Sequence, residues 1–85
     1  MATRTDAIED LYIYLGEQLR RARLDQGRTI TDVSRVVQMD FRIVSQWEKG
    51  NNRISIANFM VVCSYLGVDP GAVLKAAETE MLSTY

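Results

Sequence analysis

Arg42, Ser45, Gln46 and Lys49 stand at i, i+3, i+4 and i+7, so on a helix they share one face, with Val44 and Trp47 on the opposite side. That face carries a cation near its start, a hydroxyl, an amide and a second cation at its far end. An arginine can donate two parallel hydrogen bonds to a guanine edge, and a glutamine can pair in a similar way with adenine. A helix is also the right width to enter the major groove of a duplex. The same four residues would equally make a plain solvated helix face, so the spacing alone leaves both uses open.

Charge distribution favours the first use. The net charge is −1. Between Arg20 and Arg53, however, eight cations stand against four acids, which makes that segment +4 and the flanks −5. A basic middle between acidic ends suits a small protein with one polyanion-binding face. Enzymatic chemistry finds little support. The chain has no histidine, its five glycines are scattered singly with no phosphate-cradling loop, and 85 residues allow one small core and no deep cleft. No cofactor or metal site is expected. The single cysteine, Cys63, can form neither an internal disulfide nor a metal cluster and is read as a small buried hydrophobe, which together with the lack of a signal-like N-terminus predicts a cytoplasmic protein. The longest apolar run, 59–63, is too short to cross a bilayer.

The elements that would hold this face are all helical. Residues 6–26 form a long helical pattern, with Ile8, Leu11, Leu15, Leu19 and Ala22 on one side and Gly27 as its stop. Gly16 inside it allows either a continuous helix or a break. Thr29, with Asp32 three residues on, caps a helix over 30–37, with Ile30, Val33, Val36 and Val37 turned inward. Residues 38–40 turn the chain, Asp40 caps a helix over 41–49, and Gly50 ends it. Ser55 caps a fourth helix, 56–66, with Ile56, Phe59, Val62, Cys63 and Leu66 as its core positions. Asp69-Pro70 starts a fifth, running to about Met81.

Two short helices joined by a three-residue turn make a helix-turn-helix arrangement. The run Leu15-Gly16-Glu17-Gln18-Leu19-Arg20, then Arg23, Gly27, residues 29–34, Val44, Glu48, Gly50 and Leu66-Gly67-Val68-Asp69-Pro70 resemble the phage-repressor (Cro/CI, xenobiotic-response-element) helix-turn-helix family, over about residues 15–74. The resemblance implies an all-α, compact five-helix lambda-repressor-like bundle, with extensions at 1–14 and 75–85. It implies a sequence-specific regulator of transcription, of repressor or Cro type, acting on double-stranded DNA, with the third helix reading bases and the second crossing the backbone. Carried over by position, Phe41, Arg42, Ser45 and Gln46 would meet bases. Thr29, Ile30, Thr31, Lys49, Asn51, Asn52 and Arg53 would meet phosphates, with Arg28 and Arg35 as further neighbours. Arg23 and Glu48 would form a structural ion pair.

The sequence departs from that family pattern in places. Where the family often has glycine in the turn, this chain has Gln38, so the turn must change geometry or strain a non-glycine residue. Asp40 puts a negative charge near where phosphates would come, and Phe41 is apolar at an exposed position. Outside the resemblance, Tyr12, Ile13, Tyr14, Ala76, Met81, Leu82 and Tyr85 are more apolar than free tails, which predicts either an extension of the core or a homodimer surface, with Met60 and Val61 pointing the same way. The other functional readings are a helix-turn-helix used to bind protein, which Phe41 and Ile43 would suit, and an antitoxin binding both DNA and a toxin.

Overall fold

Five helices follow one another, with no strand among the residues described, 4–84 of a computed structural model: α1 (Arg4–Asp25), α2 (Ile30–Val37), α3 (Phe41–Lys49), α4 (Ile56–Leu66) and α5 (Pro70–Thr84). Tyr85 and residues 1–3 lie outside the described residues.

Local chemistry explains the boundaries. Thr29 Oγ1 accepts from the Asp32 N–H at 3.0 Å while the Asp32 carboxylate accepts from the Thr29 N–H at 2.8 Å, a complete capping box. Asp40, Ser55 and Asp69 each accept from a backbone N–H in the first turn of the helix that follows. At its far end α2 stops on Gln38, whose φ of 56° and ψ of 43° are left-handed. Gln38 is the one non-glycine residue at positive φ among those described, so the turn keeps the usual path and strains a side-chain-bearing residue. Gln38→Gly is therefore expected to stabilise the domain by about 0.5–1 kcal/mol, the relief of strain being partly offset by glycine's greater freedom in the unfolded chain. Thermal melting should show a rise of a few degrees, and a fall would mean that the Gln38 side chain contributes a contact of its own.

The core is built from Leu15 and Leu19 of α1, Val33 of α2, Val44 and Trp47 of α3, Phe59, Val62, Cys63 and Leu66 of α4, and Val73 and Ala77 of α5. Two expected core positions lie outside it. Ile56 is 71% exposed and Val36 is also exposed, whereas Ile54, just ahead of the Ser55 cap, is buried. Ile54 and Phe59 hold the two positions of a hydrophobic staple, before the cap and four residues into the helix, and both belong to the core. With Ile54 turned inward at the entry to α4, Ile56 at the first helical position points to solvent.

α1 runs without a break through Gly16. A Cβ there would fall inside contact distance of the Trp47 carbonyl oxygen and 2.7 Å from the Glu48 oxygen, so the missing side chain is what lets α1 lie against the backbone of α3. The apolar surplus near the two ends divides between core and surface. Tyr12 and Tyr14 pack on the core, Ala77 is fully buried, and Gln18 and Arg21 of α1 both donate to Glu80 of α5, at 2.9 and 3.1 Å. Ile13 and Leu82 remain exposed. Among the described residues no single helix is long and apolar enough to cross a membrane.

Candidate nucleic-acid interface

α3 is strongly amphipathic because its short sequence alternates two kinds of residue at helical pitch. Val44 and Trp47 are buried, and the edge opposite them carries Arg42, Ser45, Gln46 and Lys49. Arg42 and Lys49 are exposed, while Ser45 and Gln46 are half-buried. Phe41, at the first helical position, is 56% exposed. Ser45 and Lys49 also border a groove of about 600 Å³ shared with Ile13, Glu17 and Arg20 of α1 and reaching Ile30 of α2.

The pose of α3 is held from behind. Arg23 donates from Nε to Glu48 Oε2 at 2.7 Å and from Nη2 to Glu48 Oε1 at 3.0 Å, and its Nη1 donates to the Arg28 carbonyl at 2.9 Å. The two side chains are only 10% and 8% exposed. The Glu48 carboxylate raises the Arg23 pKa, chiefly through these hydrogen bonds, against the opposing effect of burial. Both residues are thus committed to structure. Gly50 completes the joint. Its φ of +77° ends α3, and a Cβ on it would lie 2.5 Å from the Ile13 Cα.

At the start of α2, Thr29 is occupied as the cap in both directions, and Ile30 is partly packed on the core, which leaves its backbone rather than its side chain for an anion. The Ile30 and Thr31 N–H groups lie in the first helical turn, where no carbonyl within the helix can accept from them, and Thr31 is exposed. Asn51, Asn52 and Arg53 are exposed in the loop after Gly50. Two aromatic contacts were not foreseen. The Arg53 guanidinium lies 5.5 Å from the centre of the Tyr12 ring, and that of Arg28 lies 5.1 Å from the Tyr65 ring. They join residues 41 and 37 positions apart, and no local pattern signals them.

A third contact was also missed. Asp40, exposed like its partner, accepts from Arg42 Nε on Oδ1 at 3.0 Å and from Nη2 on Oδ2 at 3.1 Å, besides the Arg42 backbone N–H at 2.8 Å. These bonds, the guanidinium first and the backbone second, bring the Asp40 carboxyl down to about 2. Residues two apart do not meet on a helix. This pair does because Asp40 is still extended, at φ −61° and ψ 140°, so its side chain folds over the first turn. Whatever stability the pair lends is present above the ordinary carboxylate range and is lost only as the pH falls through about 2.

Among the described residues no group of three or more histidine, cysteine or acidic side chains could hold a metal ion. Cys63 is buried as a free thiol, and burial pushes it up to about 11, away from reactivity.

Comparison with known proteins agrees with this geometry. The helix-turn-helix family matches residues 19–73. No curated protein sequence matches the chain. Among solved structures, the clp gene regulator ClgR from Corynebacterium glutamicum superposes in two crystal structures. One has a TM-score of 0.81 at 28% identity, covering 87% of this chain and 79% of that one. The other has a TM-score of 0.77 at 30% identity, covering 84% and 92%. The restriction-modification controller protein C.AhdI from Aeromonas hydrophila has the same fold, with a TM-score of 0.68 at 21% identity over 73% of this chain and 94% of that one.

Proposed function

Because the chain belongs to the helix-turn-helix family of the XRE/Cro-CI-like type, we propose that it is a transcriptional regulator that binds specific double-stranded DNA as a homodimer, with α3 in the major groove. The observation that carries this reading is the edge of α3 at Arg42, Ser45, Gln46 and Lys49, which stands opposite the buried Val44 and Trp47. On this reading Arg42, Ser45, Gln46 and the exposed Phe41 meet base edges. Phosphates are held by the first turn of α2 (Thr29, Ile30 and Thr31), by Lys49, and by Asn51, Asn52 and Arg53. The action is that of a repressor or Cro-type switch.

A dimer is supported by α4, which has no charged residue and yet exposes Ile56, Met60 and Val61. A two-fold assembly puts one face against its own copy, which an uncharged apolar face suits. Two recognition helices one duplex turn apart, about 34 Å, would read a palindromic site.

The test is binding to duplexes selected from a random pool, measured over a range of salt, with the mass in solution read by sedimentation equilibrium. Affinity should fall with salt at a log–log slope of about −0.9 for each phosphate neutralised. Arg42→Ala should lose about 1–3 kcal/mol of discrimination at one base pair, and Arg53→Ala should weaken all sequences alike. Salt-independent or absent DNA binding would overturn the reading in favour of a protein-binding module.

A further inference from the structure

Helix capping does not explain why residue 40 is an aspartate. Serine and asparagine cap a helix as well as aspartate does, and neither adds a negative charge beside a surface meant for phosphates. What the carboxylate adds is its grip on Arg42. A guanidinium presents five N–H groups in a planar fork. Asp40 takes one edge of it, Nε and one N–H of Nη2, and holds that edge at two points. The edge left over consists of Nη1 and the second N–H of Nη2. That edge donates two parallel hydrogen bonds, the pattern that O6 and N7 of guanine accept.

We propose that Asp40 is a positioning residue for base recognition. It holds the Arg42 fork so that the free edge reads a guanine, and its charge keeps that fork off the backbone phosphates. The inference rests on the DNA-binding reading above. An arginine without such a partner is a long flexible chain that must be ordered on binding and reaches phosphate oxygen as readily as a base. An exposed ion pair ordinarily contributes little. This one differs in being two-pronged, with a third hydrogen bond fixing the same carboxylate to the backbone of the same residue. The low Asp40 carboxyl, about 2, has the same origin.

The experiment compares the wild-type chain with Asp40→Ser, Asp40→Asn and Arg42→Ala, on duplexes carrying each base pair in turn at every position of the selected site. The wild type is expected to prefer guanine at one position by about ten- to hundredfold, and Arg42→Ala to lose that preference. Asp40→Ser and Asp40→Asn keep a capping oxygen, so their melting temperatures should stay within a few degrees of wild type. They should lose about tenfold of the guanine preference, bind random duplex more tightly, and show a salt slope steeper by about 0.9, one more phosphate. A carbon-detected titration of the free protein should place the Asp40 carboxyl at about 2 and return it toward the ordinary range in Arg42→Ala. Unchanged guanine preference in both Asp40 variants, or an Asp40 carboxyl that titrates in the ordinary range in the wild type, would overturn the inference while leaving DNA binding intact. Failure of the wild type to bind any duplex would remove the functional reading and the inference with it.

Discussion

Gly16→Ala should destabilise the domain by at least about 2 kcal/mol and lower its melting temperature by roughly 10 °C or more. Helix propensity alone predicts the reverse, since alanine is favoured over glycine in a helix interior by about 1 kcal/mol. Tertiary contact decides the sign. The added methyl would run into the carbonyl oxygens of Trp47 and Glu48 and the Glu48 carbonyl carbon at 2.9 Å, all of them backbone atoms that cannot rotate aside. Either α1 moves away from α3 or α3 is pushed out of its seat, and each opens the core around Leu15, Leu19 and Trp47. Urea or thermal unfolding checks this. Stability equal to or above wild type would mean that α1 and α3 do not approach so closely at this point. Because α3 carries the candidate recognition edge, the variant should also bind its selected DNA less tightly at temperatures where it remains folded.

Arg23→Ala should cost about 3–5 kcal/mol, the range for removing one partner of a buried ion pair. The loss comes less from the pair's own attraction than from what is left behind, a Glu48 carboxylate 8% exposed with no cation beside it. The Arg28 carbonyl loses its donor as well. Replacing both partners together, as Arg23→Met with Glu48→Leu, removes the uncompensated charge and should recover most of the stability, since buried pairs often exchange for apolar residues at little net cost. A double-mutant cycle by denaturant unfolding measures the coupling. If the single and double variants lose the same amount, the pair is not what holds the end of α3 to α1.

These two sites and Gly50 belong to one joint. Gly16, Arg23 and Ile13 on α1 meet Trp47, Glu48 and Gly50 at the C-terminal end of α3, so the helix proposed to read DNA is held along its inner side while its outer edge stays open.

Much of this organisation was legible in the chain. Thr29 with Asp32, Asp40, Ser55 and Asp69-Pro70 mark where helices begin, and Gly27, Gly50 and Gly67 mark where they end. Such signals can be read because the hydrogen bonds behind them span at most five residues, so the partner is always in view. Periodicity likewise separates Val44 and Trp47 from Arg42, Ser45, Gln46 and Lys49, because a helix face depends only on spacing. Near a helix start that reasoning weakens. Ile54 and Ile56 are both apolar and flank the same cap, and which one turns inward depends on how α4 lies on the rest of the core.

The amino-acid sequence by itself determined five helices, their caps and the polar edge of the third, since each follows from neighbours a few residues apart. Only the tertiary structure decided that Gly16 is a contact point and not a break, that Tyr12 lies under Arg53, and that Glu80 of α5 accepts from Gln18 and Arg21 of α1. Those outcomes depend on residues some thirty to sixty positions apart. Their energies exist only once every helix is in place, so no window of the chain contains them.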